Sequence, residues 1–144
     1  RPGAYANFKG SGRRGMIQRE ITVLTDIALI TCVVQRGLAD IIIQAAREAG
    51  AQGATVYFAR GMGIRERLGI LGVSVEVEKE IIEIVVSKDQ VERIFERMYL
   101  AGNLDTPGMG IMYITPLEKA ATFIPPEVLA KFSTDKKPQE PEKT

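Results

Sequence analysis

The alternation of apolar and polar positions divides the first half of the chain into strand, helix and strand. Residues 28–34 form an apolar, β-branched run typical of a buried strand. In residues 38–49 the apolar positions recur at helical spacing, which predicts an amphipathic helix. Gly50 stands where a C-terminal helix cap belongs. Residues 53–59, with Thr, Val, Tyr and Phe at their centre, predict the next strand.

The second half of the chain repeats this order. Residues 80–86 predict a strand, and Ser87 and Gln90 predict a capping box at the start of the following helix. Gly102 ends that helix, and residues 110–115 predict a further strand. The helix has apolar positions that we expect to be buried, and these are Val91, Ile94, Phe95 and Met98.

The two halves align without a gap. Cys32 matches Ile84 and Gly50 matches Gly102, both at a separation of 52 residues. Two strand–helix–strand units predict an α+β fold of the ferredoxin-like βαββαβ type, an antiparallel sheet with both helices on one face. The opposite face then carries apolar strand residues, which predicts oligomerisation. The candidates for that face, with their neighbours, are Val33, Val56, Ile84 and Ile111.

A glycine-rich loop between Gly61 and Lys79 separates the two halves. It mixes charged and apolar residues and is long for a connector in a compact domain, which favours a functional role. The alternation of valines with polar residues near its end indicates that part of it extends the following strand. The residues we expect to contact a partner protein are Arg65, Arg67, Leu68 and Ile70.

The ends of the chain differ from its middle. Residues 1–20 are basic and glycine-rich, and we interpret them as a flexible leader; an arm for nucleic acid or membrane is the alternative. Residues 21–132 form the predicted folded domain. Beyond residue 117 we expect a short strand near residues 122–124 and a helical turn from Glu127. Residues 133–144 are rich in Lys, Pro, Glu and Gln and predict a disordered tail.

Composition narrows the chemistry. The 144-residue chain has a net charge of +1, no histidine and a single cysteine, Cys32. A zinc site and a Ser-His or Cys-His nucleophile are therefore excluded in practice, and no metal site is expected. Binding is a better expectation than catalysis, so we predict that the protein is not an enzyme. The balanced charge gives no reason to expect nucleic acid, and the lone cysteine suits the cytoplasm.

Three stretches together resemble the P-II signal-transduction family. Residues 50–63, GAQGATVYFARGMG, resemble the strand that leads into its T-loop. Lys79 followed by EIIEIVV resembles a later strand of the family. Gly102, followed by Gly108 and Gly110 before an apolar strand, resembles the entry to its B-loop. The resemblance covers residues 28–114.

This resemblance implies a homotrimer of ferredoxin-like subunits that works as a regulatory protein. It implies that a small effector, an adenine nucleotide such as ADP, ATP or AMP, binds in clefts between subunits. The T-loop would then control a partner, either an enzyme or a membrane transporter. No cofactor is required under this reading.

The resemblance also assigns site residues. Thr55 would face the adenine, Lys79 would lie near the phosphates, and the amides around Met109 would form an anion nest. The complete set for the effector is Thr55, Gly61, Gly63, Arg65, Lys79, Gly108, Met109 and Gly110. On their own chemistry, the threonine is equally a strand residue, the glycines are turn glycines, and the charged residues are solvated surface charges.

Several positions depart from the family pattern. Arg65 replaces the glutamine that the family uses with 2-oxoglutarate and magnesium, and Ile111 replaces a lysine of the B-loop. Ala121 and Phe123 stand where arginines are expected. Much of the basic clamp for a triphosphate is therefore missing. The alternative interpretation is a trimeric ferredoxin-like interaction protein with no nucleotide site.

Overall fold

The computed structural model describes residues 5–11, 18–61 and 77–127. In chain order the elements in these ranges are β1 (Tyr5–Ser11), β2 (Gln18–Leu24), β3 (Ile27–Gln35), α1 (Ala39–Glu48), β4 (Thr55–Gly61), β5 (Val77–Ser87), α2 (Val91–Ala101), β6 (Gly110–Leu117) and β7 (Ala120–Ala121). Neither of the helices in these ranges is long and apolar enough to cross a membrane.

Four strands form the body of the fold, an antiparallel sheet in the order β4–β5–β3–β6. Helix α1 joins β3 to β4 and α2 joins β5 to β6, so the chain passes twice through strand, helix and strand. Both helices pack on the same face of the sheet. The ferredoxin-like βαββαβ prediction is confirmed.

The core lies between this sheet and the two helices. Every second residue of the central strand β3 points toward the helices, as the two-residue period of a strand requires. The side chains that are fully buried there are Ile30, Cys32, Val34, Ile42, Ile82, Ile84, Ile94 and Met98. The apolar positions predicted for the second helix belong to this core, with Phe95 partly buried beside it.

The other face of the sheet has no helix over it. Val33 pairs with Ile81 of β5 and Ile111 of β6, so these three side chains form an apolar row on that face, here called the open face. Ile111 is 60% exposed. The expectation was wrong for two candidates. Ile84 pairs with core residue Ile30, and Val56 pairs with core residue Ile82, so both lie on the helix side.

The helices end in similar hydrogen-bonded turns. Gly50 has a φ of +113°, and its amide and that of Ala51 donate to carbonyl groups of the last turn of α1. After α2 the left-handed residue is Asn103, one position beyond the predicted Gly102. At Gly102, a Cβ would lie 2.9 Å from Cδ1 of Ile42, so a larger residue would require the Ile42 side chain to shift where the two helices pack together.

The predicted capping box is wrong. Strand β5 continues through Ser87, and α2 begins at Val91 with Gln90 as its N-cap. No side-chain hydrogen bond caps this helix. Instead the Gln90 amide donates to the Ser87 carbonyl at 3.0 Å, so a backbone turn links the strand to the helix.

A β-hairpin occupies much of the segment expected to be a flexible leader. β1 pairs with β2 along seven residues, including Lys9 with Glu20, and β2 pairs with β7 at Val23 and Ala121. Strand β2 runs through residue 20, the predicted boundary between leader and domain. Charge and glycine content carry no information on this backbone pairing. The predicted tail at residues 133–144 lies outside the described ranges.

Candidate functional site

One end of the body sheet brings together several of the predicted effector-binding residues. Lys79 of β5 pairs with Gln35 at the end of β3 and with Ala59 of β4. Gly61 ends β4, and Gly110 begins β6 beside Val34. The described ends of the predicted T-loop and of the predicted B-loop therefore lie at the same end of the sheet.

The predicted B-loop is built from consecutive turns. The Thr106 amide donates to the Asn103 carbonyl at 2.9 Å, and the Met109 amide donates to the Thr106 carbonyl at 3.3 Å. Gly108 has a φ of +81°, which favours glycine. An anion nest that used the Met109 amide would have to replace its hydrogen bond to Thr106.

The side chain of Gln35 holds this loop against the sheet. Its Nε2 donates to the Gly108 carbonyl at 3.1 Å, across 73 residues of sequence. This contact could not be predicted from local sequence patterns, because it joins two residues that are far apart in the chain. The contact fixes the direction of the chain as it enters β6.

Gly110 is required by close packing of two backbones. A Cβ at this position would lie 2.3 Å from the Val33 carbonyl oxygen, and the residue has a φ of +154°. The approach of β6 to β3 accounts for this glycine without a ligand. Its proposed role toward an effector remains a prediction.

Thr55 lies away from this end of the sheet. It pairs with Glu83 in the middle of the sheet, four positions before Ala59, which is roughly 13 Å along a strand. The structure does not bring Thr55 next to Lys79 within one chain. It places Thr55 beside Glu83, whose carboxylate accepts a hydrogen bond from the Tyr57 hydroxyl at 2.9 Å.

The pKa of Tyr57 is raised above its ordinary value. The hydrogen bond to Glu83 is the main cause, because it stabilises the neutral phenol, and partial removal from water adds to it. The negative charge of Glu83 acts in the same direction, with a smaller effect from Tyr113. Sequence reasoning missed this cluster on the open face, because it depends on strand register.

A second group of side chains lies on the helix side of the same sheet end. Arg36 Nη1 donates to Glu78 Oε2 at 2.6 Å, and its guanidinium carbon lies 5.9 Å from the centre of the Phe58 ring. The neighbouring amide of Gly37 donates to the buried carboxylate of Glu80. The only sequence signal for this group is the position of Arg36 directly after a buried strand.

Five predicted residues fall between the described segments. Gly63, with the predicted contact residues Arg65, Arg67, Leu68 and Ile70, lies in residues 62–76, so these assignments stay predictions. In the part of the chain that is described, no cluster of three or more His, Cys, Asp or Glu residues suits a metal ion. Burial raises the pKa of the Cys32 thiol to about 12, so this thiol is a core group.

Comparison with known proteins agrees with the fold. The family model described as "Nitrogen regulatory protein P-II" matches residues 27–125, the ferredoxin-like body without the β1–β2 hairpin. Among solved structures, the chain is similar to Arabidopsis thaliana PII bound to citrate, with 24% identity and a TM-score of 0.54. That match covers 65% of this chain and 79% of the plant chain. The chain belongs to the P-II family of nitrogen regulatory proteins.

Proposed function

We propose that this protein is a P-II-type regulator that binds a small anionic effector and passes the signal to a partner protein. The observation that carries the proposal is that Gly61, Lys79 and the Gly108–Gly110 turn lie at the same end of the sheet, with Lys79 on a strand between the two outer strands. A cation on a strand between two glycine-containing loop ends suits an anion. The plant relative contains citrate, which is also a small anion.

The effector site would be completed by a second subunit. Within one chain, Thr55 and Lys79 are too far apart to line a single compact binding site. A trimer formed through the open face would let Thr55 and Glu83 of one subunit lie beside the Lys79 end of another. The apolar row of Val33, Ile81 and Ile111 favours such an assembly.

An adenine nucleotide, ADP, ATP or AMP, is the proposed effector. Thr55 and Glu83 offer a donor and acceptors suited to a base, and Lys79 offers a charge for phosphate. The missing lysine at Ile111 favours a less charged nucleotide than ATP.

The signal would leave through residues 62–76. Both ends of this segment, at Gly61 and Val77, lie at the Lys79 end of the sheet, so an effector bound there can change the positions that the segment adopts. Arg65, Arg67, Leu68 and Ile70 would contact the partner, a metabolic enzyme or a membrane transporter. Under this proposal the protein is a cytoplasmic binding protein and not an enzyme.

A trimeric interaction protein without a nucleotide site is the second candidate. The hydrogen bond from the Met109 amide to the Thr106 carbonyl favours this alternative, because it engages an N–H group that a phosphate would need. Under this alternative the open face and residues 62–76 would act without an effector.

Calorimetric titration separates the two candidates. We would titrate the protein with ATP, ADP, AMP, citrate and 2-oxoglutarate, with and without magnesium. Lys79→Gln removes the charge at the proposed site, and Lys88→Gln, in the turn at the opposite sheet end, is the matched control. Saturable binding that only Lys79→Gln weakens supports the sensor. Absence of binding to all five compounds supports the interaction protein.

A further inference from the structure

The group around Arg36 forms an open groove beside the edge strand β4. Its volume is about 480 Å³, and its walls are Arg36, Phe58, Ala59, Arg60 and Glu78. This volume lies within the usual range for sites that bind small molecules. Within the described ranges, these walls come from the turn before α1, strand β4 and strand β5.

The groove is separate from the proposed effector site. Phe58 pairs with Glu80, which is buried on the helix side, so Phe58 and its strand neighbours at even positions face that side. Lys79, Thr55 and Glu83 have the opposite parity and face the open side. A molecule in the groove therefore contacts different side chains from an effector bound at Lys79.

The guanidinium of Arg36 is positioned before any ligand arrives. The Glu78 carboxylate holds one of its nitrogens at 2.6 Å, and the Phe58 ring lies under it. The turn that carries Arg36 is itself fixed, because the next amide, that of Gly37, donates to Glu80. An arginine has five N–H donors, and a single carboxylate contact leaves others for a second acceptor.

The net charge of the lining residues indicates which ligand charge the groove can bind. Glu78 compensates Arg36, whereas Arg60 has no ion-pair or hydrogen-bond partner among the residues that the structure describes. The walls that the structure describes therefore carry one uncompensated positive charge, which matches a monoanion. Phe58 is 71% exposed even with the Arg36 guanidinium over its ring, so part of the side chain is available to a flat apolar group.

We propose that this groove binds small aromatic carboxylates, with the ring stacked on Phe58 and the carboxylate on Arg60 and Arg36. The carboxylate matches the planar fork of a guanidinium, which can donate two parallel hydrogen bonds. The site requires neither an assembled trimer nor an effector at Lys79. It is a second ligand site on the opposite side of the sheet.

Three probes of similar size distinguish ring stacking on Phe58 from carboxylate binding by Arg60 and Arg36. Benzoate has both the ring and the charge, cyclohexanecarboxylate keeps the charge without the aromatic ring, and benzamide keeps the ring without the charge. We would follow backbone amide NMR shifts of the full chain during titration with each probe. We expect saturable benzoate binding with shifts at Phe58 and Arg60. Cyclohexanecarboxylate should bind about threefold more weakly and benzamide about tenfold more weakly.

Variants test the same assignment. Phe58→Leu and Arg60→Gln should each weaken benzoate binding severalfold, and neither side chain belongs to the core, so the folded spectrum should be retained. Arg97→Gln, which removes an exposed charge on α2, should leave benzoate binding unchanged. No saturation by benzoate, equal affinity for all three probes, or unchanged binding by Phe58→Leu would overturn the proposal.

Discussion

The Tyr57 hydroxyl donates to a Glu83 carboxylate oxygen 2.9 Å away and joins the edge strand β4 to its neighbour β5 on the open face. This pair lies beside Thr55, which the family resemblance assigns to the effector. Together with Thr31, which pairs with Glu83, it forms a polar group on the open face beside the apolar row of Val33, Ile81 and Ile111. Because the neutral phenol donates this hydrogen bond, the pKa of Tyr57 depends on the charge of Glu83.

Glu83→Gln should lower the pKa of Tyr57 toward its ordinary value of 10.0, because the negative charge is lost and the amide is a weaker acceptor. The measurement is a spectrophotometric titration of tyrosinate in the folded protein. Tyr57→Phe identifies which of the four tyrosines gives the highest transition. A highest transition that persists unchanged in both variants would contradict the assignment.

The same shift has a consequence for stability at alkaline pH. Because the folded-state pKa is raised, Tyr57 ionises first in the unfolded chain. Its contribution to stability is therefore complete below about pH 10 and is lost as the pH rises through the folded-state value. Urea unfolding across this range should show a smaller alkaline loss in Tyr57→Phe than in the original chain.

Gly110→Ala should destabilise the fold strongly. The added Cβ would lie 2.3 Å from the Val33 carbonyl oxygen, and the positive φ disfavours an L-residue. We expect a loss of roughly 3 kcal/mol or more in the free energy of unfolding. Gly53→Ala is the control, since nothing lies within 4 Å of its Cβ position. Similar urea midpoints for the two variants would disprove the close contact.

Arg93 ties the two helices together. Its Nε and Nη2 both donate to the Ala49 carbonyl at the end of α1, at 3.1 and 2.8 Å. Arg93→Lys keeps the charge but loses the paired geometry, so it should lower the free energy of unfolding by about 1 kcal/mol. Arg97→Lys, on the exposed side of the same helix, should change it by less than about 0.5 kcal/mol. Equal effects would show that only helix propensity matters.

The fold could be predicted from the sequence because the same strand–helix–strand pattern occurs twice. The core positions of α2, such as Ile94 and Met98, follow helical spacing, and the match of Cys32 with Ile84 exposes the duplicated unit. The hairpin and the capping turn at Ser87 were missed, since both depend on which backbone groups pair. Local composition does not contain that information.

Less of the candidate site could be predicted from the sequence. Lys79 and the glycines came from family resemblance, whereas Gln35 and Glu83 gain their positions from strand register. Arg36 and Phe58 come together across 22 residues of chain, and no periodic pattern predicts such a pair. Side chains that meet only through tertiary structure leave no local signal.

The open face should hold the subunits together. Ile111 is 60% exposed near the start of the outer strand β6, in the apolar row of the open face. Ile111→Glu should place a charge in the proposed interface and weaken subunit association by about 3 kcal/mol or more. Light scattering coupled to size-exclusion chromatography should then show monomers in place of trimers. Leu100→Glu is the matched control, because Leu100 is 56% exposed but belongs to α2 on the opposite side. If Leu100→Glu dissociates the assembly and Ile111→Glu does not, the subunits associate through the helices.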